Sequence, residues 1–305
     1  MEIIFLTQTG LGILGNSSFL CFSNLTLLVG HKLRPIDLIF NQLVLANDLA
    51  LFSKGIPQTM AAFGLKYFLD DVGCTLVFCF RRVVRGVSLS TTGLLSVFQA
   101  IKLCPNFPRW VKLKGRSLKY IGWCCFLCWT LNLLVNAHIS MKVTDQVKSK
   151  NLSLRRYYGY CSKLMPNSFI PSIFGVIYVS IDVIHLGTMV RASGAVVLVL
   201  HRHKHRVQHI HSNGLSPRPS HEARAIRTIL VLVSMFVSFY SLSSILTLCV
   251  SLIVNPGQWL VDTSVFMASC FPAFSSFVLI SSEAHVSQFF FACWTRKTIF
   301  PNMVK

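Results

Sequence analysis

Long apolar stretches, separated by short polar ones, dominate this chain. Four of them contain no Asp, Glu, Lys or Arg: residues 3–29, 120–139, 228–261 and 263–282. A helix needs about 20 mostly apolar residues to cross the roughly 30 Å hydrocarbon core of a bilayer. Each of these stretches meets that length, so the pattern predicts several membrane-spanning helices.

Three further apolar stretches carry isolated charges and complete the set. Asn255, Pro256 and Gly257 are turn-forming residues, so we expect the sixth span to end before them. Transmembrane β-strands would instead alternate apolar and polar residues over about 10 positions. The sequence therefore predicts an all-α fold, a single domain (1–305) of seven transmembrane helices. The predicted spans are 3–29, 36–63, 74–103, 120–139, 168–200, 225–254 and 262–283, followed by a short tail over 284–305.

Composition agrees with a membrane protein. Hydrophobic residues make up 53% of the chain and charged residues 13%, whereas soluble domains carry about 25% charged residues.

The charges around the first span predict its orientation. Lys32 and Arg34 follow this span, and Glu2 is the only charged side chain before it. Because Lys and Arg favour the cytoplasmic side, we expect the N-terminus outside the cell. Seven crossings then place the C-terminus in the cytoplasm.

With this orientation the polar segment after the fourth span lies outside. Asn151 begins an Asn-Leu-Ser triplet, so we expect a glycosylation site there. Cys161 lies on the same oxidising side, and Cys74, at the start of the third span, is the other cysteine placed at an outer helix end. We therefore predict a Cys74–Cys161 disulfide, with two free thiols as the alternative. Seven cysteines fall in apolar stretches and are expected to be small buried hydrophobes: Cys21, Cys79, Cys124, Cys125, Cys128, Cys249 and Cys270.

Nine short motifs are distributed in order along nearly the whole chain: HKLRPIDLI (31–39), KGIPQTMAAFG (54–64), GVSLSTT (86–92), VFQAIKL (97–103), YGYCS (158–162), RHKHRVQHIHS (202–212), EARA (222–225), NPGQW (255–259) and FACWTRKTIFPN (291–302). Together they resemble the vomeronasal type 1 receptor family. The resemblance implies a pheromone-type G-protein-coupled receptor in the plasma membrane of sensory neurons. It also implies a small-molecule or peptide chemosignal as ligand and an inhibitory-class heterotrimeric G protein as partner. The Asp-Arg-Tyr, Cys-Trp-x-Pro and Asn-Pro-x-x-Tyr motifs of rhodopsin-like receptors are missing from the corresponding spans, as in this family.

Three arginines lie inside the third span: Arg81, Arg82 and Arg85. A charge at the centre of a span costs roughly 2.5–3.5 kcal/mol on insertion scales and marks a functional candidate. Their spacing places all three on one side of the helix, where we expect them to face the interior of the bundle. One hypothesis is a cationic pocket for an anionic or strongly hydrogen-bond-accepting ligand. The other is structural pairing with Asp48 and Asp182.

Two further side chains accompany the arginines as candidates for the pocket. Lys54, in the outer part of the second span, is expected either to reach the membrane interface or to line the pocket. His185 follows Asp182 by three residues on the same helix face and is either a pocket hydrogen-bonder or a core histidine. The candidate ligand-pocket residues are Lys54, Arg81, Arg82, Arg85, Asp182 and His185.

The predicted cytoplasmic face is strongly basic. His201, His205 and His209 share a helical spacing, but the Lys and Arg residues among them repel a cation, so we expect neither a metal site nor a cofactor. The net charge of +19 is concentrated on this face, which favours contact with anionic lipids and an acidic protein partner over nucleic acid. The candidate G-protein contacts are Arg109, Lys112, Lys114, Arg116, Arg202, Lys204 and Arg206.

Other functional classes find less support in the sequence. It contains no His-Glu-x-x-His and no Gly-x-Ser-x-Gly motif, so no enzyme is expected. A secondary transporter of small anions also buries charges at mid-membrane, but such transporters are commonly built from repeats, and no two spans here match. A bitter-taste-type receptor is a related alternative, and it lacks the family motifs given above.

Overall fold

The computed structural model describes residues 2–28, 30, 33–65, 68–103, 117–149, 153–157, 162–166, 180, 182–199, 221–253 and 257–282. Within them lie seven helices. They are α1 (Glu2–Leu28), α2 (Pro35–Ala62), α3 (Asp71–Leu103), α4 (Ser117–Ser149), α5 (182–199), α6 (His221–Leu252) and α7 (Gln258–Ser282). The predicted all-α fold class is confirmed.

Six of these helices are long and apolar enough to cross a membrane: α1, α2, α4, α5, α6 and α7. The remaining one, α3, has 33 residues but carries Arg81, Arg82 and Arg85 near its middle. It packs against α2, α4 and α6, so neighbouring helices surround it. A helix enclosed in this way can carry charges that a lipid-facing helix could not.

The core is formed by apolar side chains from all seven described helices. Ile39 and Leu43 of α2, Leu95 of α3 and Leu232 of α6 are fully buried, and Leu279 of α7 joins the same cluster. α1 packs against α2 and α7, and α6 packs mainly against α7. Since α2 and α6 also contact α3, these helices form one bundle with a shared core.

Close packing of α1 depends on small residues. A Cβ atom built at Gly12 would lie 2.6 Å from Cδ1 of Leu51 and 2.9 Å from Cα of Ala273. The first atom belongs to a side chain of α2 and the second to the backbone of α7. Small residues allow helix backbones to approach closely in membranes, where packing largely drives helix association.

A buried polar network also joins three helices. Asn47 of α2 donates a hydrogen bond to Oγ of Ser275 in α7, at 2.9 Å. Its side-chain oxygen accepts one from the hydroxyl of Ser88 in α3, at 2.8 Å. All three residues are buried, so the network fixes the relative heights of α2, α3 and α7.

A two-stranded hairpin follows α4. Strand β1 (Ser153–Tyr157) pairs antiparallel with β2 (Ser162–Pro166), with Tyr157 opposite Ser162. β2 packs against both α3 and α4. The sequence indicated only a polar loop here, so this hairpin is an addition to the predicted helical fold.

Candidate functional site

Arg85 lies at the meeting point of three helices. Its Nε donates a hydrogen bond to the hydroxyl of Tyr240 in α6, at 2.8 Å, and its Nη2 donates one to Oγ of Ser244, at 2.9 Å. The same Nη2 lies 3.5 Å from Oδ2 of Asp182 in α5. One guanidinium of α3 therefore contacts both α5 and α6.

The hydrogen bonds of Arg85 are unevenly distributed over its five N–H groups. Nε and Nη2 are used, whereas Nη1 makes no hydrogen bond to any residue that the structure describes. The distance to Asp182 is longer than the 2.7–2.9 Å typical of a strong charge-assisted bond. About a third of the Arg85 side chain is exposed, so its described partners do not enclose it completely.

Tyr240 connects this arginine to the core. The Cζ atom of Arg85 lies 4.2 Å from the centroid of the Tyr240 ring. That ring stacks on Phe236 at 4.9 Å, and Phe236 meets Phe271 of α7 edge to face at 4.6 Å. Aromatic pairs of this geometry contribute about 0.5–1.5 kcal/mol beyond their buried area. The contacts form a continuous path from α3 through α6 to α7.

The other two arginines of α3 differ from Arg85 and from each other. Arg81 is half-buried, and its Cζ atom lies 5.4 Å from the centroid of the Phe78 ring. Arg82 is exposed, which departs from the expectation that all three face the interior. The reason is geometric, because each residue along an α-helix is rotated by about 100° from the one before.

Lys54 is directed into the bundle. Its Nζ donates a hydrogen bond to the carbonyl oxygen of Val265 in α7, at 2.8 Å. It also lies close enough to Arg81 and Arg85 to interact electrostatically with both. Lys54 therefore joins the two arginines in one region of the bundle, defined here as the cationic cluster: Lys54, Arg81 and Arg85.

The two candidate carboxylates have separate environments. Asp182 is placed with Arg85 and also interacts electrostatically with Arg82 and His185. Asp48 instead accepts a hydrogen bond from the hydroxyl of Ser17, at 3.0 Å. Structural pairing with Asp182 is thus present, but one carboxylate beside Arg82 and Arg85 leaves an excess of positive charge at the site.

Cysteines differ in part from the sequence-based expectation. Cys74 is buried and disulfide-bonded, while its predicted partner, Cys161, lies outside the described residues. The seven cysteines of the apolar stretches are free, and Cys125 and Cys270 are buried as predicted. Cys21, Cys124 and Cys249 are exposed. Thiols are small and only weakly polar, so a lipid-facing surface tolerates them.

Several predicted residues fall outside the described part of the chain. They are Asn151, Cys161, Arg109, Lys112, Lys114, Arg116, Arg202, Lys204 and Arg206. No group of three or more His, Cys, Asp or Glu side chains suited to a metal ion occurs among the residues that the structure describes.

Sequence reasoning missed Tyr240 and Ser244. Both lie in an apolar stretch free of charged residues, more than 150 positions from Arg85. Their spacing of four residues places both on one face of α6. That spacing was the available signal, yet Tyr and Ser are too common in such helices for it to stand out.

The fold and the cluster together define a class of protein. In the part of the chain that the structure describes, seven helices, six of them able to span a bilayer, enclose charged and hydrogen-bonding side chains as in a multi-pass, G-protein-coupled type of receptor. The sequence model of the vomeronasal organ pheromone receptor family matches residues 1–292. The chain belongs to this family, which confirms the resemblance given by its motifs and makes it a multi-pass receptor of the plasma membrane.

Individual relatives agree with this assignment. The chain is 58% identical to vomeronasal type-1 receptor 1 of Homo sapiens over 302 residues, covering 99% of this chain and 85% of the relative. It is 46% identical to vomeronasal type-1 receptor 4 of Homo sapiens over 291 residues, covering 95% and 96%. A more distant relative, olfactory receptor class A-like protein 1 of Danio rerio, is 30% identical over 285 residues, covering 92% and 88%.

Proposed function

We propose that this chain is a chemosensory receptor, and not an enzyme, whose ligand carries an anionic or strongly hydrogen-bond-accepting group. The ligand is a small-molecule or peptide chemosignal. It binds in the half of the bundle where α3 begins, called here the Cys74 end, with its acceptor group on Arg85. Arg85 lies eleven residues after Cys74, about 16 Å along the helix at 1.5 Å per residue.

The main support for an anionic ligand is the state of the Arg85 guanidinium. Nη1 makes no hydrogen bond within the described residues, although part of the side chain is accessible. Carboxylate and sulfate groups accept parallel N–H bonds from such a fork. Arg81, four residues before Arg85 on α3, adds positive charge near the same point, so an incoming anion also lowers the repulsion between the two guanidinium groups.

The family and the distribution of charge support a proposal for the signalling partner. We infer coupling to an inhibitory-class heterotrimeric G protein through the basic residues around 109–116 and 202–206. Complementary charge speeds association and helps select the partner. The same basic stretches are proposed to contact anionic lipids of the inner leaflet, at about 1 kcal/mol per Lys or Arg.

The proposal is tested by comparing anions with neutral molecules of similar shape. Cells expressing the receptor receive aryl and alkyl sulfates and carboxylates, beside the corresponding alcohols, and G-protein activation is recorded. We expect the anions to be the more potent agonists. A toxin that modifies inhibitory-class α subunits should abolish the response.

Arginine variants then locate the binding site. Losing a hydrogen bond to a charged group costs roughly 1.5–3 kcal/mol, so Arg85→Ala should lower potency at least about tenfold, with Arg81→Ala and Arg82→Ala compared singly. Arg191→Ala is the matched control, because Arg191 is exposed on α5, nine residues beyond Asp182. Surface expression is measured for each variant. Equal potency of alcohols and sulfates, or unchanged potency in all three variants, contradicts the proposal.

A further inference from the structure

Beside the shared apolar core, Arg85 makes side-chain hydrogen bonds from α3 to α6. α6 packs mainly against α7 and touches α3 over a short stretch. Within that stretch Arg85 bonds to Tyr240 and Ser244, one helical turn apart, and pairs with Asp182 of α5. We propose that these contacts lock α6 in the resting receptor, and that an anion bound at Arg85 releases it. The identity of the trigger rests on the proposed function; the lock itself does not.

An anion can compete with the partners that Arg85 has in this structure. Tyr240 and Ser244 are neutral acceptors, and hydrogen bonds to charged acceptors are roughly twice as strong as neutral ones. Asp182 is charged, but its oxygen lies 3.5 Å from Nη2. A sulfate or carboxylate that takes two parallel N–H bonds therefore draws the guanidinium away from α6.

The release reaches beyond the ligand through the aromatic contacts. Tyr240 stacks on Phe236, and the edge of Phe236 meets Phe271 of α7. Phe236 is 1% exposed, so its ring cannot move without repacking its neighbours. Interiors packed this closely switch between discrete arrangements rather than deforming smoothly. A change at Tyr240 is thus passed to the contact between α6 and α7.

The lock is tested without any ligand. Non-natural amino acids that carry spin labels replace Leu76 in α3 and Leu248 in α6. Both positions are exposed and lie towards the Cys74 end. The variants are Tyr240→Phe, which keeps the ring and removes the hydroxyl, Asp182→Asn, and Tyr240→Phe combined with Ser244→Ala. Electron–electron distance measurements in nanodiscs report the separation of the two helix ends.

We expect one main distance in the native receptor and a second, displaced population in the combined variant, with smaller shifts in the single variants. Ser243→Ala is the control, because the Ser243 hydroxyl is buried and has no hydrogen-bond partner among the described residues. It should leave the distance unchanged. Distributions of the combined variant and Asp182→Asn that superimpose on the native one overturn the lock.

A second arm separates the lock from its trigger. The native receptor is titrated with 4-nitrophenyl sulfate, and both binding and the label distance are recorded. Binding together with the displaced population supports both proposals. Binding without displacement overturns the release step while the anionic ligand stands. Displacement in the variants without any binding of the sulfate supports the lock and counts against an anionic ligand of this kind.

Discussion

Arg85 illustrates how a charged residue is kept inside a membrane protein. Its guanidinium has hydrogen-bond acceptors on α6 and a carboxylate on α5, so part of its desolvation cost is offset. Nη1 has no hydrogen-bond acceptor among the described residues, so the guanidinium can still bind another acceptor. Contacts between apolar residues also depend on the fit between neighbours. A glycine has no side chain, so a second helix can approach it closely.

Gly12 and Gly10 provide a test of that point within one helix. A Cβ at Gly12 would meet the backbone of Ala273, whereas a Cβ at Gly10 would meet nothing within 4 Å. We expect Gly12→Ala to destabilise the receptor by roughly 1–3 kcal/mol, the usual cost of overpacking. Thermal unfolding of purified receptor measures it.

Gly10→Ala is the matched control for this prediction. It should be neutral or stabilising by up to about 1 kcal/mol, because Ala favours a helix over Gly. Equal melting temperatures of the two variants would show that α1 does not need its close approach to α7 at Ala273.

At the scale of elements, Cys74 of α3 is disulfide-bonded, and the candidates for its partner cysteine can be narrowed down. Cys74 is bonded and the seven other described cysteines are free, which leaves Cys104, Cys161 and Cys293. Leu103, the residue before Cys104, is about 43 Å from Cys74 along one helix, too far for a disulfide. β2 begins directly after Cys161 and packs against α3, which supports Cys161 as the partner.

Serine variants distinguish the remaining candidates. Cys74→Ser and Cys161→Ser should each destabilise the receptor by about 2–4 kcal/mol, typical of a lost disulfide. The double variant should be no worse than either single one, because both remove the same bond. Cys293→Ser is the control and should have no effect. Peptide mapping under non-reducing conditions identifies the pair, and a Cys74–Cys293 peptide would refute the assignment.

Part of the element structure could be predicted, and part could not. Seven helices followed from the length of the apolar stretches, since a bilayer requires about 20 apolar residues per crossing. The extent of α4 did not, because it continues through polar residues to Ser149, ten positions beyond the predicted span. The hairpin could not be predicted either. Its strand β2 packs on α3 and α4, and a tertiary contact of this kind does not produce an alternation of apolar and polar residues in the sequence.

At the scale of the whole molecule, the orientation in the membrane remains a prediction that cells can test. An epitope tag at the N-terminus should be accessible on intact cells, since Lys32 and Arg34 favour the cytoplasmic side.

Glycosylation of Asn151 is a separate prediction. Glycosidase treatment should lower the apparent mass of the native receptor and leave that of Asn151→Gln unchanged.

Asn24→Gln serves as the control for glycosylation, because Asn24 also begins an Asn-x-Thr triplet but lies within α1. It should leave the glycosidase shift unchanged. A tag that becomes accessible only after permeabilisation would reverse the orientation.

The candidate site also shows the limit of sequence reasoning at this scale. Arg85 and Asp182 can be recognised from the sequence, because charged residues inside apolar stretches are rare. Tyr240 and Ser244 bear no charge, and their contact with Arg85 depends on how α6 rotates against α3. That rotation is set by the packing of the entire bundle, so only the folded structure brings these residues together.

Three exposed thiols among the described cysteines offer native positions for chemical cross-linking. Cys21, Cys124 and Cys249 are free and belong to α1, α4 and α6. If two copies of the receptor meet in a membrane, mild oxidation will join whichever of these sulfur atoms face each other. The unmodified protein thus already carries the means to show which of its sides associate.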